Sequence, residues 1–300
     1  MKPAPVDYLA PTTIEETLDV LREYGDEAKV LAGGQSLVPM LNFRLARPAV
    51  LVDINHVAGL DGLGVENGTL TIGATTRQRA LETRLPGLLD APAAGAWGLL
   101  PAAVGNIGHV HIRSRGTIGG SLSHADPAAE LPAAVSALGA TLVVRSAEET
   151  REVAPEEFFE GFFTTCMASE EMLTQIRVPA WPDGTRSSFL EVSRRRGDFA
   201  QVAVAAVVAL ADGRVTRAGV ALAGVASSTV QADDLVAGLV GQEPTPALIA
   251  ELAGDLAATL DPPPDVHGPA AYRRSLARHL LRRALGEAVG LPADRTCSAA

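Results

Sequence analysis

The stretch RGTIGGSLSHADPAAELP, Arg115 to Pro132, sets a diglycine among three hydroxyl side chains, a histidine, an aspartate and a glutamate, with a proline directly after the aspartate. Glycine tolerates positive φ and leaves no Cβ between backbone amides and a ligand, so successive N–H groups can converge on an anion. Asp126-Pro127 has the grammar of a helix N-cap followed by proline at the first helical position, which predicts a helix from about Pro127 to Leu138 beginning beside the glycines. The acidic side chains there suit ribose or ribityl hydroxyls better than phosphate. A second diglycine, Gly33-Gly34, follows the apolar end of AKVLAGG and precedes Gln35-Ser36. Two such loops can clamp a diphosphate from two sides, with Gln35, Ser36, Thr117, Ser121 and Ser123 as donors around them. Either diglycine alone is an ordinary tight turn; the pair points to a nucleotide. The Rossmann fingerprint is absent, because neither GNIG (Gly105 to Gly108) nor GTIGG (Gly116 to Gly120) supplies Gly-x-Gly-x-x-Gly after a strand.

The whole chain bounds this reading. Its 300 residues suit two or three modest domains, at roughly 100 to 200 residues each. A formal net charge of -10 argues against a nucleic-acid binder, which needs a basic surface to displace counterions. Lysine occurs only at Lys2 and Lys29, and no Gly-Lys-Ser/Thr exists, which removes the P-loop. Two cysteines, Cys166 and Cys297, cannot build a four-thiolate zinc or iron-sulfur site, and His109 and His111 lack a further ligand at metal-binding spacing. No metal is expected in this chain; any metal centre belongs on another. The opening MKPAPVDYLAPTT lacks an apolar signal region and the longest apolar run, Val202 to Ala211, is far short of a membrane span, so the expected compartment is the cytoplasm.

Along the chain, Thr13-Ile-Glu-Glu16 reads as a capping box opening a helix to about Tyr24. AKVLAGG predicts a strand running into the first diglycine, SLVPMLNFRLA a short helix, and Ala49 to Ile54 another strand. Asn67-Gly68 between apolar runs predicts a hairpin, followed by helices at Thr76 to Arg84 and Gly87 to Val104 and by sheet strands in ATLVVRSAEETREV and EMLTQIRVP. Pro179 to Ser188 is a Pro, Gly and Ser linker. Beyond it, strands are expected at Phe189 to Arg194, Val202 to Leu210 and Val215 to Leu222, then helices at 231–239, 246–259 and 269–287. Arg273, Arg274, Arg278, Arg282 and Arg283 on the last helix read as a solvated face or a docking surface. The resulting divisions are 1–56, 57–179 and 186–290, an α+β layout.

These residues resemble a known family. LAGGQSLVPMLNFRLARPAVLVDIN and IRSRGTIGGSLSHADPAAELPA are similar to the two flavin-binding segments of the medium subunit of aerobic carbon monoxide dehydrogenase and its relatives among the molybdenum hydroxylases, a unit that xanthine dehydrogenase carries as an internal domain. The resemblance extends to SRRRGDFAQVAVAA and HGPAAYRRSLARHLLRRAL, and so over essentially the whole chain. It implies a two-subdomain FAD-binding fold of the vanillyl-alcohol-oxidase/PCMH type followed by a small α/β C-terminal domain. It implies FAD with its pyrophosphate held by Ala32, Gly33, Gly34, Gln35, Ser36 and Leu37 on one side and Thr117, Ile118, Gly119, Gly120 and Ser121 on the other. Ser123, His124, Asp126, Ala129 and Glu130 fall where family members line the rest of the cofactor, with Ile107, Gly108 and Ile176 at apolar contacts. Arg194 to Phe199 falls near the isoalloxazine side, where some relatives carry tyrosine in place of Phe199.

The implied function is electron transfer. A large subunit with molybdenum cofactor oxidises the substrate, a small subunit with two two-iron, two-sulfur clusters passes single electrons, and this chain's FAD collects pairs for an external acceptor, in a dimer of heterotrimers. Two rival readings are a self-contained flavin oxidase or reductase without molybdenum partners, and a colourless nucleotide-binding scaffold.

Overall fold

The computed structural model describes residues 2–88 and 95–292. It opens with β1 (Asp7–Leu9), α1 (Ile14–Tyr24), β2 (Ala28–Leu31), α2 (Leu37–Asn42) and β3 (Val50–Asp53). The three strands form a parallel sheet of order β1-β3-β2. Every residue of the central β3 is buried, the continuous apolar pattern of a strand paired on both edges and covered on its faces. Leu18 and Leu21 of α1 pack on Val50 and Val52. The Thr13 Oγ1 accepts from the Glu16 amide at 3.1 Å as the capping box requires, but the glutamate reaches one residue further back than expected, to the amide of Thr12 at 2.9 Å.

Next come β4 (Leu63–Glu66), β5 (Thr69–Gly73), α3 (Gln78–Thr83), α4 (Leu99–Val104), α5 (Val110–Arg115), α6 (Ile118–His124), α7 (Glu130–Leu138), β6 (Thr141–Arg145), β7 (Thr150–Val153), α8 (Pro155–Phe158), β8 (Phe159–Gly161), β9 (Thr164–Thr165) and β10 (Met172–Val178). An antiparallel sheet of order β4-β5-β10-β6-β7 is seamed by β10, and β8 and β9 form a separate ribbon. The hairpin turn carries Asn67 at φ 50° and Gly68 at φ 78°, the two left-handed residues that a tight two-residue connection needs. Two helix boundaries differ from expectation. The helix predicted at Thr76 begins at Gln78, because the buried Thr76 hydroxyl is tied to the Gly62 carbonyl at 2.8 Å. The helix predicted over Gly87 to Val104 is 3-10 turns at Leu85–Leu88 and Gly95–Gly98 leading into α4; residues 89–94 of that expectation, like Cys297, lie outside the described residues.

The remainder is β11 (Arg186–Val192), β12 (Val202–Ala211), β13 (Arg214–Ala223), β14 (Val230–Gln231), α9 (Asp233–Leu239), α10 (Pro246–Thr259) and α11 (Ala270–Val289). The four strands form an antiparallel sheet in sequence order. Strand β12, VAVAAVVALA, is buried on both faces, and its alternation assigns them. Val202, Val204, Ala206 and Val208 join the core under α10 and α11, whereas Ala203, Ala205, Val207 and Ala209 join the core that contains α4 and α7. The small residues on the second face let α7 approach closely: a Cβ on Gly219 of β13 would lie on the Ala137 carbonyl. Gly219→Val is therefore expected to lower stability by about 3 kcal/mol, since backbone rather than a rotatable side chain stands in the way. Differential scanning calorimetry checks this; an unchanged melting temperature would show that α7 can give way.

Arg273 corrects the solvated-face expectation for α11. It is buried, and its guanidinium donates to the carbonyls of Gln201 at 2.5 Å and Gly224 at 3.0 Å and to Asp265 at 2.6 Å. Among the described residues no helix is long and apolar enough to cross a membrane.

Candidate functional site

The first diglycine lies between β2 and α2. Gly33 is buried against the second segment: a Cβ there would fall on the Arg115 carbonyl oxygen and 2.8 Å from the Gly116 Cα. Gly34 holds φ at 73°, a conformation that side chains disfavour. Among the described residues no protein acceptor takes the amides of Gly33, Gly34, Gln35, Ser36 or Leu37; the first amide of this stretch with a partner is that of Val38, bonded to the Gly34 carbonyl at 3.1 Å. The Gln35 side chain folds back, donating to the Gly33 carbonyl at 3.1 Å. Successive unbonded N–H groups beside a left-handed glycine are the donor set that an anion-binding turn uses.

The second diglycine differs from its expected form. Gly119 and Gly120 are not in a loop but in the first turn of α6, whose N-cap is Thr117. All of its leading amides are engaged: Ile118 with the Thr76 carbonyl at 3.0 Å, Gly119 with the Ala74 carbonyl at 2.9 Å, Gly120 with the Thr117 hydroxyl at 3.0 Å, and Ser121 with the Thr117 carbonyl at 3.1 Å. Glycine is required at 119 by packing, since a Cβ there would stand 2.6 Å from both the Cβ and the carbonyl oxygen of Ala74. A Cβ on Gly120 would reach within 3.8 Å of the Ala32 Cβ, so the two glycine segments do meet. The second contributes a wall rather than a second set of free amides.

A half-buried lattice joins them. Arg77, at the N-terminal end of α3, donates through Nη2 to the Asn55 Oδ1 at 2.7 Å and through Nη1 to the Arg115 carbonyl. Asn55 in turn donates through Nδ2 to the Ala32 carbonyl at 2.8 Å and to Asp53, which also accepts from the Tyr8 hydroxyl at 2.5 Å.

Further along, Asp126 is not the N-cap of α7. It closes a turn by accepting from the Ala128 amide at 2.9 Å, and the helix starts later, with Ala129 as N-cap and Glu130 as first residue. Ser123 is exposed; His124 is half-buried with its ring 5.0 Å from that of Phe163, and burial holds the imidazole below its ordinary pKa. Glu130 is 4% exposed, and burial, followed by the charges of Glu191 and Asp126, pushes its carboxyl up to about 8. Burial raises Glu191 of β11 to about 7, and its Oε2 has no hydrogen-bond partner.

Gly108 meets the segment Arg194 to Phe199, since a Cβ on Gly197 would stand 2.8 Å from the Gly108 carbonyl oxygen, while Ile107 packs against the core. A cleft of about 660 Å³ is lined by residues that include Asp126, Phe162, Phe163, Arg194, Phe199 and His267. Two of the expected residues, Ile118 and Ile176, are fully buried in the core. Ile176 lies on β10 between β5 and β6 and Ile118 at the start of α6, and neither side chain has surface to offer a ligand. Sequence reasoning missed Arg77, Asn55 and Glu191. A charged residue within the apolar strand SSFLEV is a signal for the last; the other two carry none.

The site fits a dinucleotide. Free amides suit a pyrophosphate, Gly33 lets the two glycine segments close on each other, and a separate cleft lined in part by Phe162, Phe163 and Phe199 has Asp126 on its wall. Fold and site together describe a dinucleotide-binding domain joined to a sheet-and-helix C-terminal part. The family model described as the FAD binding domain in molybdopterin dehydrogenase matches residues 4–181, and that of the CO dehydrogenase flavoprotein C-terminal domain matches residues 187–288. The chain belongs to this family of molybdopterin dehydrogenase FAD-binding proteins.

It is 38% identical over 290 residues, 96% of each chain, to the 6-hydroxypseudooxynicotine dehydrogenase complex subunit alpha of Paenarthrobacter nicotinovorans. It is 36% identical over 289 residues, again 96% of each, to the caffeine dehydrogenase subunit beta of a Pseudomonas species. Among solved structures it is similar to carbon monoxide dehydrogenase from Hydrogenophaga pseudoflava, with a TM-score of 0.91 and 33% identity over 97% of this chain and 99% of that one.

Proposed function

We propose that this chain is the flavoprotein electron-transfer subunit of a molybdenum-containing hydroxylase, with divisions at 1–56, 57–179 and 186–290 and a two-subdomain FAD fold of the vanillyl-alcohol-oxidase/PCMH type. The observation that carries the reading is the run of free amides from Gly33 to Leu37. Bound there, FAD supplies the exchange between single electrons from iron-sulfur clusters on a small partner subunit and the electron pair delivered to an external acceptor.

The chain's own residues bind and orient. Ala32 to Leu37 bind the pyrophosphate, and Thr117 to Ser121 close the opposite wall. Ser123, Asp126 and Glu130 serve the polyol and sugar hydroxyls. Glu130 holds a proton at neutral pH, so it donates there as a neutral acid. Arg194 to Phe199, seated through Gly197 on Gly108, covers the ring side and limits water there. The large molybdenum subunit, which sets the substrate, and the small subunit complete a heterotrimer, paired as a dimer, in the cytoplasm.

The test is affinity capture of the tagged chain from its native host, followed by a visible spectrum and metal analysis. Molybdenum, iron and flavin eluting with two partner chains are the expected result. A lone yellow chain that oxidises or reduces a small molecule by itself would replace the proposal with a self-contained flavoenzyme.

A further inference from the structure

We propose that Arg77 is a positioning residue whose guanidinium ties the two glycine segments together and fixes the width of the pyrophosphate cradle. The inference rests on the FAD reading above. One limb of the tie is direct, from Nη1 to the carbonyl of Arg115, the residue before Gly116 and Thr117. The other runs through Asn55, whose amide carries the bond onward at 2.8 Å to the carbonyl of Ala32, the residue before Gly33. The two anchored carbonyls thus lie at the start of the two glycine segments, one on each side. The Asn55 end is itself braced, because Asp53 accepts from both the Asn55 amide at 2.9 Å and its side chain at 2.5 Å. The Arg77 backbone is braced as well, bridging Thr117 in antiparallel fashion, with the Gln78 amide on the Gly116 carbonyl at 2.9 Å.

A planar fork is needed for this geometry. Guanidinium presents donors in two directions at fixed separation, whereas an ammonium is a single point that can serve one acceptor well. Arg77 is held below its ordinary pKa by burial and by the nearby Arg115 charge, while Asp61 and Asp53 act in the opposite direction, so the tie rests on its hydrogen bonds and not on accumulated charge.

The experiment measures dissociation constants of the deflavinated full-length chain by fluorescence titration with FAD and, separately, with ADP, which carries the diphosphate without the flavin. Arg77→Ala is expected to weaken both by a similar factor, about 10- to 100-fold, by analogy with the loss of a residue that orients a metal ligand. Arg77→Lys is expected to recover little of the loss, and Asn55→Ala to add little to Arg77→Ala, since both break one tie. A change in melting temperature with unchanged constants overturns the proposal, as does full rescue by lysine. Should Arg77→Ala fail to fold, Asn55→Ala, which removes only the Ala32 limb, carries the same expectation, and wild-type affinity there overturns it. Unmodified chain that binds neither FAD nor ADP would instead sink the FAD reading itself.

Discussion

A Gly33→Ala chain is expected to purify colourless from cells in which the unmodified chain purifies yellow. The added methyl would stand on the Arg115 carbonyl and 2.8 Å from the Gly116 Cα, both backbone atoms, so no rotamer change relieves it. Either the first segment lifts away from the second or the turn after β2 unwinds; both disperse the free amides. The cost of such overpacking is about 1–3 kcal/mol, enough to weaken an affinity by one to two orders of magnitude. Gly34→Ala supplies the graded comparison. Its Cβ would meet only the Val38 and Leu31 side chains, at 3.2 and 3.3 Å, but φ of 73° costs about 1 to 2 kcal/mol, so flavin should be weakened and not lost. Gly59→Ala has a similar φ of 82° with nothing within 4 Å, and serves as the control for backbone strain alone. The ratio of flavin to protein absorbance, read beside the melting temperature, separates the three. Retention of full colour by Gly33→Ala would remove the contact between the segments from the account.

The second large effect is on pH dependence. Glu130 has an ordinary pKa of 4.5 when unfolded and about 8 when folded, so between these values the folded chain keeps a proton that the unfolded chain releases. Stability is therefore fully present below pH 4.5 and declines as pH rises toward 8. Glu191, raised to about 7 from the same starting value, acts in the same direction over a narrower window, and Asp126 adds a like charge facing Glu130. Glu130→Gln keeps the shape and removes the titration. At pH 8 the variant is expected to exceed the unmodified chain by on the order of a few kcal/mol, and near pH 4.5 the two should coincide. Urea midpoints of the flavin-free chains at pH 5 and pH 8 decide this; parallel pH profiles would show that Glu130 does not carry the effect.

Much of the architecture was legible where local chemistry is unambiguous. Asn67-Gly68 could only be a tight hairpin, and the uninterrupted VAVAAVVALA had to be a strand covered on both faces. Thr13 with Glu16 marked a helix start correctly to the residue. The misreadings share a cause, which is that one local pattern serves two structures. Asp126-Pro127 is equally the start of a helix and a free-standing turn, and the choice is made by where α7 must begin to pack on β12 and β13. Glycines disfavour helix, so IGGSLSH reads as loop; contact with Ala74 at Gly119 outweighs the propensity cost of about 1 kcal/mol per glycine. The Arg77 tie was invisible for another reason. Its outer acceptors are the main-chain carbonyls of Ala32 and Arg115, and a carbonyl has no letter in a sequence.

Helix α7 begins at Glu130, beside the candidate site, and runs along the alanine face of β12 and β13 with the Ala137 carbonyl against Gly219. The same nine-residue rod is therefore wall to one half of the molecule and floor to the other. Cutting the chain in the Pro182 to Thr185 linker would not yield two modules. The front half would present a bare stripe of alanine and leucine to water, and the back half a sheet stripped of one cover. Nicking at that linker should leave the fragments bound to each other, and expression of either alone should give insoluble material.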